Sequence, residues 1–125
     1  MDQNATPAAL ARAFTAAWAS HDLDAAAAYV ADDVTFDGPM NHLRGKAAYL
    51  EALGGFAEVV TGVEIIAAIG DDTQALIMYD LATAPFGTLT SAELLTFRDG
   101  KIRADRLIFD THLMRQAATS RPPVA

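Results

Sequence analysis

Apolar positions change their period near residue 60 of this 125-residue chain. Before that point they recur every three to four residues, the spacing of one helix face. After it they fall in the short runs and alternations of strands. Leu10, Phe14, Ala17 and Trp18 make the first helical stripe, opened by Thr6 as N-cap and Pro7 at the first helical position. Asp22 caps a second, alanine-rich helix with Leu23, Ala26, Ala27 and Val30 inward. Val34 to Phe36 reads as a short strand, stopped by Gly38-Pro39. A loop through Asn41, His42 and Gly45 leads to a third helix from Lys46 to Val59. Tyr49, Leu50, Leu53 and Phe56 form its stripe, and Gly54-Gly55 weakens its middle.

Four strands follow: Val63 to Ile69, Ala75 to Thr83, Leu89 to Phe97 and Ile102 to Asp110. Turns at Gly70-Asp71-Asp72, Pro85-Phe86-Gly87 and Asp99-Gly100 separate them, and His112 to Ala117 adds a last helical turn. Helices first and consecutive antiparallel strands afterwards predict an α+β fold. Its expected form is a cone-shaped, curved, mixed or antiparallel sheet packed on three N-terminal helices, with a pocket at the mouth of the cone. A single domain is expected over residues 1–125, with its core at 7–117 and loose tails at both ends.

Strand faces then place the ionisable groups. Asp99-Gly100 between two apolar runs is a strong hairpin signal. Counting in twos from Ile102 gives Ala104, Arg106, Ile108 and Asp110, so Asp110 faces the interior if Ile102 and Ile108 do. Glu93 shares a face with Leu95 and Phe97 and is expected inward. Between Ala75 and Thr83 neither face is plainly polar: Leu76, Met78, Asp80 and Ala82 oppose Ala75, Ile77, Tyr79 and Leu81. That strand is expected to be buried on both sides, with Asp80 in an interior or an interface. Asp37 ends the first strand at the expected pocket rim, with His42 close by in sequence.

Several inward carboxylates cannot all stay charged in a dry cavity. Their pKa values separate, leaving an ionised base and a protonated acid. This is the requirement for general acid–base chemistry, and it needs no metal or other cofactor. Asp110, Asp80, Asp37 and His42 are the candidate catalytic groups. Trp18, Tyr29, Tyr49, Phe56, Met78, Glu93 and Arg106 are the candidate pocket residues. The plain alternative makes the aromatics core and lets Arg106 neutralise a carboxylate. Asp22, Asp32, Asp33, Asp71, Asp72 and Asp99 read as caps and turns.

Composition narrows the function classes. Hydrophobic residues make up 52% and charged residues 20%, as in an ordered globular protein. The chain has no cysteine, which excludes disulfides, thiol catalysis and thiolate zinc sites and is compatible with a cytoplasmic location. His21, His42 and His112 match no zinc spacing, so no metal is expected. A net charge of −7 argues against nucleic acid or an anionic membrane as partner. No apolar run approaches the roughly 20 residues that span a bilayer, and the N-terminus lacks a signal-peptide pattern.

Several stretches resemble the SnoaL-like polyketide cyclases of the nuclear transport factor 2-like superfamily. They are Trp18-Ala19-Ser20-His21-Asp22-Leu23-Asp24, Tyr29-Val30-Ala31-Asp32-Asp33-Val34-Thr35-Phe36, Gly45, Phe97-Arg98-Asp99-Gly100-Lys101-Ile102 and Phe109-Asp110. The resemblance covers residues 8 to 116 and implies a cystatin-like roll, a homodimer and a small hydrophobic substrate. It makes Asp110 the pocket carboxylate of an aldol-type cyclase or isomerase. Limonene epoxide hydrolases place Arg two residues before an Asp on a middle strand; here that pair is Met78 and Asp80. Their water-positioning pair would be Thr35 and Asp37. Ketosteroid isomerases put a base directly before the proline, where this chain has Gly38. A non-catalytic binding or dimerisation module, with its carboxylates salt-bridged to Arg103 or Arg106, is the competing expectation, and epoxide-hydrolase-like water addition is a third.

Overall fold

The helices begin where the sequence supplies a cap. In the structure, a computed structural model describing residues 5–119, Thr6 Oγ1 accepts from the Ala9 amide at 3.2 Å ahead of α1 (Pro7–Ala19). Asp22 accepts from the Ala25 amide at 3.1 Å ahead of α2 (Leu23–Ala27). These bonds satisfy amides that no helical carbonyl can reach. The third helix, α3, spans Lys46–Ala57, and α4 spans His112–Thr119. The tail readings at residues 1–4 and 120–125 lie outside the described residues.

Six strands form one sheet in the order β2-β1-β6-β5-β4-β3. They are β1 (Val30–Asp37), β2 (His42–Arg44), β3 (Val60–Gly70), β4 (Gln74–Thr83), β5 (Gly87–Arg98) and β6 (Lys101–Phe109). Only β1 and β6 run parallel, so the sheet is mixed, as expected. Two details differ from the sequence reading. The second helix stops at Ala27, which frees Val30 to begin β1 beside Ile102 in the core. The expected loop through His42 is instead a short strand, because Gly38 donates its amide to the Asn41 carbonyl at 2.9 Å and turns the chain back onto β1.

The helices cover one face of the sheet. Phe14 and Trp18 of α1 and Tyr49 of α3 are buried against Ile77, Tyr79, Leu81, Leu95 and Ile102. Burying these apolar side chains is the main favourable contribution to folding. The opposite face is uncovered: Leu76 and Met78 are 44% and 41% exposed. The two-sided burial expected for β4 is therefore incorrect, because no layer lies over its outer side.

One irregularity sets the chemistry. Asp99 and Gly100, with φ of 54° and 76°, form the two-residue turn between β5 and β6 that their sequence predicts. The register then slips. Phe97 pairs with Ile102 but Thr96 pairs with Ala104, so Arg103 is the extra residue of a β-bulge. Beyond a bulge the inward and outward positions exchange. Ile102 is buried, and from there the inward series is Asp105, Leu107, Phe109.

Candidate active site

A cavity of about 210 Å³ opens between α1, α3, the concave sheet and the β1–β2 turn. Its walls include Trp18, Phe36, Tyr49, Phe56, Tyr79, Leu107 and Phe109, and Pro39, Met40 and Asn41 stand at the exposed rim. The spacing of α3 delivers Tyr49, Leu53 and Phe56 to one side of it. The alternation of β1 and β6 delivers Phe36 beside Asp105 across their parallel register. Asp105 is the one carboxylate among the lining residues and is 2% exposed.

Asp105 belongs to a buried polar chain. The Tyr49 hydroxyl donates to its Oδ2 at 2.5 Å, and Asp105 has a further hydrogen bond with the Glu93 carboxyl. On the neighbouring strand Glu93, 5% exposed, lies diagonally across from it and accepts from the Tyr79 hydroxyl at 3.1 Å. Burial pushes the Asp105 carboxyl well above the usual carboxylate range, and the charge of Glu93 pushes it further. Burial also raises Glu93, though its hydrogen bonds from Asp105 and Tyr79 oppose this. Two adjacent carboxyls in so dry a place favour sharing one proton over carrying two charges. Both tyrosines are held well above their ordinary range, first by burial and then by these acids, so they serve as neutral donors. The pair therefore holds a proton to higher pH than solvated carboxyls do, at the buried end of an apolar cavity.

The sequence-derived candidates divide into two groups. Trp18, Tyr49 and Phe56 line the cavity, and Glu93 lies behind Asp105. The others lie elsewhere. Asp110 is exposed and accepts from the His112 amide at 2.9 Å, as a cap for α4, because the bulge reversed the parity that pointed it inward. Asp80 and Met78 are on the uncovered outer face, where Thr90 donates to Asp80 at 2.6 Å. Asp37 and His42 pair with each other at 2.7 Å but are exposed, since Phe36 and Leu43 take the cavity side of the β1–β2 ladder. Arg106 is exposed beside Asp37, on the face away from Asp105. Tyr29 meets Phe14 edge to face at 6.5 Å without reaching the cavity. Among the described residues no cluster suits a metal ion.

Asp105 is the cavity carboxylate that the strand count missed. Its signal was present: Asp105, Leu107 and Phe109 form an alternation as regular as Ile102, Ala104, Arg106 and Ile108, with the larger aromatic at its end. Only the bulge decides between them.

A family model for the SnoaL-like domain matches residues 11–104, and the chain belongs to that family. A protein of known structure from Kribbella flavida is 36% identical, with a TM-score of 0.85 over 90% of this chain and 93% of that one. Two more distant structures share the fold. One is an NTF2-like protein of unknown function from Cytophaga hutchinsonii, 20% identical with a TM-score of 0.77 over 92% of this chain and 99% of that one. The other is an LEH-like epoxide hydrolase from M. tuberculosis, 22% identical with a TM-score of 0.72 over 86% and 84%. No curated protein matches the sequence. No helix among the described residues is long and apolar enough to cross a membrane.

Proposed function

We propose that the protein is a cofactor-independent acid–base enzyme acting on a small hydrophobic carbonyl compound, through enolate-forming isomerisation or aldol-type cyclisation. The observation that carries this reading is Asp105: a buried carboxyl that lines an apolar cavity and is hydrogen-bonded to a second buried carboxyl behind it. The shared proton rests on Asp105 and passes to Glu93 along the hydrogen bond between them, and Asp105 then accepts the proton α to the carbonyl. The electron pair of that C–H bond passes to the carbonyl oxygen as the enolate forms. Returning the proton to another carbon completes an isomerisation; attack of the enolate carbon on a second carbonyl completes a cyclisation. Burial makes Asp105 a stronger base than a solvated carboxylate.

The alternatives have less support. A binding module would have its carboxylates salt-bridged to Arg103 or Arg106 and a filled or shallow cavity. Asp105 is bonded to Tyr49 instead, and the cavity is open. Water addition between Asp37 and Asp80 needs them across one cavity, but they lie on β1 and β4 with two strands between, both away from the cavity. The decisive experiment incubates the protein with hydrophobic ketones in D2O and follows α-deuteration by NMR. Exchange that disappears in Asp105→Asn is expected; exchange that survives the substitution would remove Asp105 from the chemistry.

The uncovered sheet face also supports the expectation of a homodimer. We propose that a second copy packs on Leu76, Met78 and Ile108, which are 44%, 41% and 63% exposed on that side.

A further inference from the structure

The cavity is aromatic, acidic at its buried end, and has no cationic side chain. Trp18, Phe36, Tyr49, Phe56, Tyr79 and Phe109 are six of the ten aromatic residues of the chain. Asp105 closes the buried end, and no Lys, Arg or His is among the lining residues. Aromatic faces carry negative potential and attract cations, and the net charge of −7 adds a field of the same sign. A carboxylate ligand would leave water for a site that offers it no positive partner beside a buried acid, which is strongly unfavourable. An ammonium ligand meets the opposite conditions.

We propose that this cavity binds a compact hydrophobic amine in its ammonium form, with an N–H donated to the Asp105 carboxylate and the organic body packed on the rings. The inference rests on Asp105 as the ligand-facing acid, as above, but requires no catalysis. It gives the carboxylate at the buried end of the cavity a cationic partner, the condition buried charges normally meet. It also accounts for charge. The titratable groups facing Asp105 are Glu93 from β5, Tyr49 from α3 and Tyr79 from β4; α1 contributes only Trp18 and β1 only Phe36. An arriving cation stabilises both carboxylates in their ionised forms, so the shared proton leaves as the ammonium enters. Affinity therefore rises with pH through the titration of the pair, until the amine itself loses its proton.

Trp18 is the only tryptophan of the chain and lines the cavity, so its fluorescence reports occupancy. Phenethylamine, phenethyl alcohol and hydrocinnamate carry one body with a cationic, neutral and anionic end. In the full-length protein at mildly alkaline pH, the amine is expected to bind at least about tenfold more tightly than the alcohol, with no binding of the acid. One tenfold step corresponds to about 1.4 kcal/mol. Calorimetry in two buffers of different ionisation enthalpy is expected to show proton release with the amine and none with the alcohol. Asp105→Asn is expected to erase the amine preference. If that variant fails to fold, proton release by the wild type still decides. An alcohol that binds as well as the amine, amine binding without proton release, or no binding of any of the three overturns the proposal. Ketone deuteration without amine preference would overturn this inference and leave the acid–base reading standing; amine binding without deuteration would do the reverse.

Discussion

At Asp105 stability and function pull in opposite directions. Its carboxyl and that of Glu93 hold protons more tightly in the folded chain than in the unfolded one, where such groups titrate near ~4. Both folded values are raised, so their contribution to stability is full below the unfolded values and is lost as pH rises through the folded ones. Denaturation midpoints should therefore fall on going from mildly acidic to alkaline pH. Asp105→Asn retains an acceptor for Tyr49 and cannot ionise, so its midpoint should overtake that of the wild type at alkaline pH. Parallel pH profiles for the two proteins would show that the pair does not stay protonated. Tyr49→Phe removes the donor to Oδ2. It should cost about 1–3 kcal/mol, because it orphans a buried acceptor. It should also move the Asp105 titration, followed by carboxyl-carbon NMR, still higher, since that hydrogen bond opposes the rise. The residue type of the site was legible in the sequence, as a carboxylate late in the last strand among apolar neighbours. Its number was not, because Asp105 and Asp110 differ by an odd count and one inserted residue exchanges them.

The elements themselves were written locally. Thr6, Asp22 and the Asp99-Gly100 turn each act within four residues, and each stands in the structure where its chemistry predicts. What local patterning does not contain is the tertiary partner. The strand His42–Arg44 exists only because β1 is beside it, and the Arg103 bulge exists only in the pairing of β6 with β5. Gly100, at φ of 76°, is the glycine on which the β5–β6 register depends. Gly100→Ala should cost about 1–2 kcal/mol, the penalty of a Cβ in the left-handed region. It should also loosen the register that aims Asp105. Thermal melting checks the first effect, and amide exchange along β6 checks the second. In α1 a different repair is available. Thr15 is fully buried and its hydroxyl has no hydrogen-bond partner. Thr15→Val keeps the shape and removes the unsatisfied group, so it should raise the melting temperature by the equivalent of about 1 kcal/mol. A lower melting temperature would mean that the hydroxyl is bonded in solution.

For the whole molecule, the asymmetry of the sheet is the feature to explain. One face carries the helices and the cavity. The other shows Leu76 and Met78 on β4, Ile69 at the end of β3 and Ile108 on β6, each between 41% and 65% exposed. Apolar side chains gathered on one face mark an interaction surface rather than ordinary scatter. The same face is acidic toward β3 and β4, at Glu64 and Asp80, and basic on β6, at Arg106. In the proposed dimer a two-fold axis through the sheet would set the acidic half of one copy against the basic half of the other. In that dimer β4 would be covered on both sides, which would account for its two apolar faces in sequence although a single chain buries only one. Met78→Lys with Ile108→Lys places like charges in the centre of that contact. Light scattering coupled to gel filtration should show a dimer for the wild type and a monomer for the double variant. The cavity lies on the opposite face, so Trp18 fluorescence and the pH dependence tied to Asp105 should be retained in that monomer. A wild-type monomer at micromolar concentration would leave the outer face without a second copy. A double variant that loses the cavity signals as well would mean that the fold itself needs the dimer.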